Sequence, residues 1–542
     1  MSRFPINRRQ ARSLVLSTRG IVASEHPLAS QAGAMVLAEG GHAVDAAIAA
    51  NAVMGVVCPM MCGVGGDLFA IVCEENGDLH GVNASGWAPN ALTPDRLERQ
   101  GQSGMPQSGV HAITVPGAVA GWTLLLERFG RTPLSRVLSP AIDLADEGFP
   151  VAEITAEEWR KAEPFLRLDP AAERTFLPSG HPLRLGEIFR NPDLAWTYRQ
   201  IAEHGRHGFY EGDVARRLVA GIEHRGGVMA APDLADFRAE WAEPISSSYR
   251  GWDVFELPPN GAGIAALMML NLLETVPLGE YGPNSVEALH AMIEAKKLAY
   301  ADMQRYVADP RFSAVPVGVM LSKDFARRRA KSIDFSSAQR TVLPSDFPVH
   351  AGDTTYLSVV DRDGNMVSLI QSNFASFGSG VVSEGTGFAL QNRGALFTLD
   401  RTHPNVLEPR KRPLHTIIPA FMRREEQGGA PGRLIAFGIM GGWNQSQAHA
   451  QFVSNVVDHE MNIQAALEAP RFTKLTFEGC DVAVERRIPD PVCHGLSAKG
   501  HEIEVEGDFC NLMGGGQATE RTGRVNFGAS DPRKDGAAIP EP

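Results

Sequence analysis

Residues 351–373 read AGDTTYLSVVDRDGNMVSLIQSN, and two features of this stretch set the architecture. YLSVVD and NMVSLIQ are rich in β-branched and apolar residues, and the DRDGN between them carries the Asp-Gly signal of a tight hairpin. The pattern predicts two antiparallel strands. The second feature is Asp353-Thr354-Thr355, an acid and two threonines at the start of the first strand, directly after a polar run. Packing gives no reason for that order. Cleavage between Asp353 and Thr354 does, by attack of the Thr354 hydroxyl on the preceding carbonyl. It would leave a threonine whose own α-amino group can act as the base that a weakly nucleophilic hydroxyl needs. An α-amine titrates at about 7.7–8.0, so an appreciable fraction is unprotonated near neutral pH.

Two further stretches turn this into a constellation. QSNFASFGSG (371–380) supplies hydroxyls and an amide just after the hairpin. GIMGG (438–442) follows the apolar strand RLIAF and precedes a helix, so the N–H groups of Gly441 and Gly442 are expected to form an oxyanion hole. Each well-placed donor there is worth roughly 3–4 kcal/mol. Other chemistries are absent. GVGGD (63–67) is not a dinucleotide fingerprint, and no phosphate-binding G-x-x-x-x-G-K-[ST], no H-E-x-x-H and no G-x-S-x-G occurs.

The 542-residue chain is 44% hydrophobic and 21% charged, an ordinary globular composition. Its net charge of −12 argues against a nucleic-acid partner but leaves room for a small anionic substrate in a local pocket. The stretch AVDAAIAANAVMGVV (43–57) contains Asp45 and Asn51 and is too short and polar to span a bilayer, so a buried helix is expected and no membrane partner. The first 20 residues lack the apolar core of a signal peptide, which points to the cytoplasm. Six scattered cysteines are neither a disulfide scaffold nor a zinc motif, and are expected as buried thiols. No metal or organic cofactor is implied.

Helices dominate the first 150 residues, broken by the strand pair around the Asn-Gly turn of ENGD, and the middle, 150–345, reads as mostly helical. From 354 onward the pattern turns to strands: TTYLSVVD, NMVSLIQS, GFALQN, TIIPAFM and RLIAFGIM, with the helix QSQAHAQFVSNVV after them. This order fits either two domains or one sandwich whose sheets are covered by helices from both halves. The polar segment 331–353 is the expected flexible stretch, ending at the threonines.

The chain as a whole resembles the γ-glutamyltransferase family of N-terminal-nucleophile hydrolases. The resemblance runs through GIVASEHPLASQAGAMVLAEGGHAVDAAIAANAVMGVVCPMMCGVGGDLFAIV (20–72), TVPGAVAGWTLLLERFG (114–130), the processing site DTTYLSVVDRDGNMVSL (353–369), KRPLHTIIPAFM (411–422), GIMGG, EAPRF (468–472) and GASDPR (528–533). It implies an α+β fold, a four-layer αββα sandwich. The precursor would be cut into a large chain, 1–353, and a small chain, 354–542, interwoven as one unit. A homodimer of heterodimers is compatible with it. Thr354 falls on the nucleophile, Ser372 on a second hydroxyl that hydrogen-bonds it, and Gly441 and Gly442 on the oxyanion pair.

The departures bear on substrate. Members that act on γ-glutamyl compounds hold the α-carboxylate with an arginine where this chain has Ser85, and the α-amino group with an aspartate where it has Leu396. Each lost contact is worth roughly 1.5–3 kcal/mol. Arg393 stands in LQNRGALF (390–397), His415-Thr416 replace paired serines, and Asn373 lies beside Phe374. These substitutions resemble the branch that hydrolyses oxamate. Asn373, Arg393, His415 and Thr416 are the expected substrate contacts, with Arg393 either the carboxylate partner or part of a structural ion pair. The alternatives are glutathione hydrolysis or γ-glutamyl transfer, an acylase for larger amides, and an uncut scaffold.

Overall fold

The computed structural model describes residues 10–342, 353–426, 428–429 and 431–542. Residues 343–352 of the polar segment lie outside them, as does the side chain of Asp353.

The strands that matter are, in chain order, β1 (Val15–Ser17), β2 (Ile21–Ser24), β3 (Asp67–Cys73), β4 (Leu79–Ala84), β5 (Glu240–Ala242), β6 (Ile245–Tyr249), β7 (Trp252–Glu256), β8 (Asp353–Val360), β9 (Met366–Phe374), β10 (Ala420–Arg424), β11 (Arg433–Ile439), β12 (Gly516–Thr522), β13 (Val525–Ser530) and β14 (Ala537–Pro540). They form two seven-stranded sheets, ordered β14-β2-β8-β9-β3-β4-β5 and β1-β13-β12-β11-β10-β7-β6. The hairpin of residues 351–373 lies inside the first sheet. Strand β8 pairs antiparallel with β9 from Thr355↔Gln371 to Val360↔Met366, and Asp361 Oδ1 closes the turn by accepting from Gly364 and Asn365 N–H.

Alternation along the strands explains how the layers stack. On β8, Tyr356 and Val360 pack between the sheets with Phe69, Ile71, Met366, Ile370, Phe421 and Ala436, whereas Leu357 and Val359 face the helices. Those helices are α1 (Pro27–Ala38), α2 (Ala43–Val57) and α3 (Ala118–Phe129). All fifteen residues of α2 are buried, as its alanine-rich sequence leads one to expect. The second sheet is covered by α4 (Gly263–Leu273), α5 (Val286–Tyr306) and α6 (Gln445–Val457). The result is the four-layer αββα sandwich, in which central strands such as β3 and β9 are buried throughout while the edge strands β1, β5 and β6 are partly exposed.

Three local expectations are corrected. GFALQN (387–392) is not a strand; its backbone makes one isolated bridge, Val382↔Ala389, and otherwise serves loops around the site. TIIPAFM becomes a strand only at Ala420, because residues before it turn to bond α4 and α6. The helical middle contributes β5, β6 and β7 to the sheet edges. Among the described residues no helix is long and apolar enough to cross a membrane. Cysteines 58, 62, 73, 480 and 493 are buried free thiols, and Cys510 is half-buried.

Candidate functional site

Period-two alternation decides between the two threonines. Thr354 shares the inter-sheet face with Tyr356, and Thr355 points with Leu357 toward the helices. The register then brings partners across. Asp353 pairs with Phe374 and Thr355 with Gln371, so β9 carries one extra residue, a bulge at Ser372-Asn373 that re-aims both side chains. Ser372 stays on the inter-sheet face, opposite Asp67 of β3.

Thr354 Oγ1 donates to Ser372 Oγ at 3.1 Å. The Ser372 oxygen also accepts from the Phe374 N–H and from the Arg393 guanidinium, each at 2.8 Å. Arg393 turns its other terminal nitrogen to Thr416 Oγ1, 2.6 Å away, and lies 4.5 Å from the centre of the Phe374 ring. The backbone of Phe374 is left-handed, with φ 76°, a strain of order 1–3 kcal/mol for a non-glycine residue, held where β9 ends beside the cluster.

Arg393 is fully buried, yet among the described residues no carboxylate oxygen lies within 4.0 Å of it. Burial pushes its pKa down to about 9, with Asp67 opposing from a distance. Asp67 is itself fully buried and its pKa is pushed up to about 7 by burial, against the pull of Arg393 and the Gly86 and Gly117 N–H groups. His415 Nε2–H donates to Asp67 Oδ2 at 3.0 Å, while its Nδ1 accepts from Ile417 N–H at 3.4 Å, which sets the tautomer. Burial, then Arg393 and Arg412, hold His415 well below the ordinary imidazole range, so it is neutral. Neighbouring Thr416 and His415 thus connect Arg393 and Asp67 into one buried polar network ending at Thr354.

Gly441 and Gly442 follow β11, whose ladder to β12 ends at Ile439↔Gly516. Both have positive φ, 127° and 56°, and among the described residues neither N–H meets an acceptor. Two turns of chain logic bring them near the hairpin. Gly438 lies under the Tyr356 ring, so closely that a Cβ there would come within 2.4 Å of it. At the far end of the hairpin Gly364 lies against Arg521, which pairs with Leu434 near the start of β11, so β8 and β11 run in opposite senses. Tyr356 is two residues past Thr354 and Gly438 three before Gly441, which puts both strand ends at the same end of the sandwich.

Asn373 is not drawn into this network. Its Nδ2 donates to the Pro59 carbonyl at 3.2 Å and its N–H to Met61. Ser85 is fully buried against Asn83 and Asn260, its hydroxyl donating to Asn83 Oδ1 at 2.7 Å. Leu396 helps line a cavity of about 500 Å³ with Phe397, Leu399, Leu414, Trp443 and Phe374. A larger cavity of about 890 Å³, around Phe165 and Arg217, touches none of the network residues. The residue that sequence reasoning missed is Asp67. Its signal was present in GVGGDLFAIV, an acid opening an otherwise apolar strand.

Fold and site together define a hydrolase of the N-terminal-nucleophile class. The chain belongs to the gamma-glutamyltranspeptidase family, whose family model matches residues 29–541. It is 38% identical to the glutathione hydrolase-like YwrD proenzyme of Bacillus subtilis, over 97% of this chain and 99% of that one. To the oxamate amidohydrolase proenzyme of Klebsiella pneumoniae it is 34% identical, covering 96% of this chain and 98% of the relative. A crystal structure described as a cephalosporin acylase from Bacillus halodurans superposes with TM-score 0.91 at 40% identity, covering 99% of this chain and 98% of that one.

Proposed function

We propose that the chain cuts itself between Asp353 and Thr354 and then hydrolyses a short amide whose carboxylate adjoins the scissile carbonyl, oxamate being the compound that fits. One observation carries this reading. The buried guanidinium of Arg393, without a carboxylate partner among the described residues, is one hydrogen bond from Ser372, which is one hydrogen bond from Thr354. A carboxylate bound there sits next to the reacting carbon. A γ-glutamyl substrate carries its α-carboxylate several bonds away, and the position expected to hold it is the buried, neutral Ser85.

In the first step Thr354 Oγ attacks the Asp353 carbonyl and the C–N bond breaks, which frees the α-amine and leaves an ester. Water then cleaves that ester, releasing the Asp353 carboxylate and restoring the Thr354 hydroxyl. That amine takes the Thr354 hydroxyl proton as Oγ adds to the substrate carbonyl. The oxyanion that forms is held by the N–H groups of Gly441 and Gly442. Ser372, whose oxygen already accepts from two N–H donors, turns its own proton to the Thr354 oxygen. Ammonia leaves with the amine's proton, and water releases oxalate from the ester to restore the threonine.

Ammonia release from oxamate, glutamine and other primary amides, beside γ-glutamyl-p-nitroanilide turnover, tests the assignment. Oxamate turnover without γ-glutamyl turnover is expected; glutathione or γ-glutamyl turnover with inert oxamate overturns it. A second reading, acylase action on larger amides, is favoured by the cavity of about 500 Å³ beside Phe374, with Leu396, Phe397 and Trp443 in its wall. Release of a glutaryl or adipyl side chain faster than ammonia from oxamate would select it.

A further inference from the structure

Away from this network, His290 and Glu294 lie one helical turn apart on α5, so both side chains leave the same face. His501 meets them from the start of the strand Glu502–Glu506, just after α7 (Asp490–Ala498). All three are buried, and one donor atom from each lies within 4.8 Å of the others. Two imidazoles and a carboxylate are a common ligand set for a borderline divalent ion.

The hydrogen bonds around them orient the ligands. His290 Nε2–H donates to the Asp334 carbonyl at 2.9 Å, which leaves Nδ1 as a lone pair, the arrangement that a metal-binding histidine has. That Nδ1 lies 2.8 Å from His501 Nε2. His501 Nδ1 is buried without a partner among the described residues. Moving the imidazole proton of His501 from Nε2 to Nδ1 therefore gives two facing lone pairs with no change in charge. Two nitrogens at about 2.0–2.1 Å from a tetrahedral ion stand roughly 3.3 Å apart, so the rings need part by only about half an ångström. Lys297 opposes a cation: its Nζ donates to Glu294 Oε1 at 2.7 Å and to the Gln339 carbonyl at 2.8 Å. The charges of Lys474 and Lys499 near His501 oppose a cation too, but two imidazoles and a single carboxylate suit a nitrogen-seeking ion over Mg²⁺ or Ca²⁺.

We propose that His290, Glu294 and His501 bind one Zn²⁺-like divalent ion. The ion joins α5 to the strand Glu502–Glu506 and, through Asp334 and Gln339, to the segment leading toward residue 353. If the cut proposed above occurs, His290 and Glu294 belong to the large chain and His501 to the small one, so the ion cross-links them; only this last consequence rests on that reading.

The test is calorimetric titration of the chelator-treated full-length protein with Zn²⁺, thermal unfolding with and without Zn²⁺, and the visible spectrum of the Co²⁺ form. One ion per chain, a raised Tm and Co²⁺ d–d bands without thiolate charge transfer are expected. His501→Gln and Glu294→Gln should each weaken binding by more than about tenfold, whereas Lys297→Met should tighten it. Glu294→Gln is close to isosteric and carries the decision if His501→Gln does not fold. Thr354→Ala, which blocks the proposed cut, should bind Zn²⁺ as the wild type does, so the two proposals fail separately. Absence of stoichiometric binding, unchanged affinity in Glu294→Gln, or a thiolate band overturns the site.

Discussion

Arg393→Met separates a substrate contact from a structural ion pair, because only the second role makes stability depend strongly on the charge. The wild-type guanidinium is fully buried, bonded among the described residues to two hydroxyl oxygens, and held down to about 9 by desolvation that Asp67 only partly offsets. The fold therefore keeps this cation against a cost on the order of a few kcal/mol. Methionine removes that cost and forfeits two charge-assisted hydrogen bonds worth about 1.5–3 kcal/mol each, so the two offset and Tm should change little. Activity should behave otherwise. A charge-assisted bond to a substrate carboxylate is worth roughly 1.5–3 kcal/mol, and at about 1.4 kcal/mol per decade KM for oxamate should rise about 10- to 150-fold. Arg393→Lys, which keeps the charge but not the fork, should fall between. Initial rates of ammonia release from processed enzyme, paired with calorimetric Tm, measure both. A large fall in Tm with KM unchanged would refute the reasoning.

Three other changes probe the remaining parts. Thr354→Ala should leave a single 542-residue chain on a denaturing gel with no amidase activity, and Thr354→Ser should still yield a 189-residue small chain starting at 354, seen by mass spectrometry. Asp67, a carboxylic acid whose pKa is raised to about 7, binds its proton more tightly folded than unfolded. Its contribution to stability is thus complete below about pH 4 and lost as pH climbs to about 7. Relative to Asp67→Asn, wild-type stability should fall by roughly 2–3 kcal/mol between pH 5 and 8, and parallel denaturation curves would contradict this. Gly438→Ala places a methyl 2.4 Å from the Tyr356 ring, so it should cost about 1–3 kcal/mol in urea unfolding and slow ammonia release by shifting the strand that carries Thr354.

The hairpin, the buried α2 and the Gly-Gly strand end were legible because each follows from local chemistry: β-branched runs around Asp-Gly, alanine without breakers, glycine after an apolar strand. Alternation alone cannot say which threonine faces the other sheet, so the preference for Thr354 rested on its place directly after Asp353 and the polar run, and on the resemblance. GFALQN had a strand's composition, yet its backbone is used by Gly65 and the loop around Ser379 instead of a neighbouring strand. Asp67 and His415 were invisible as a pair because 348 residues separate them, and no periodicity reports a contact of that range. The same holds for His290 and His501, which stand 211 residues apart.

The strand order β14-β2-β8-β9-β3-β4-β5 has a bearing on how the mature form should behave in solution. A nick ahead of Thr354 would leave segments of both fragments alternating within one hydrogen-bonded ladder, β2 and β3 from one flanking β8 and β9 from the other. Such fragments cannot drift apart on dilution as docked subunits do. They should travel together through purification at any concentration, and release only when the whole ladder melts.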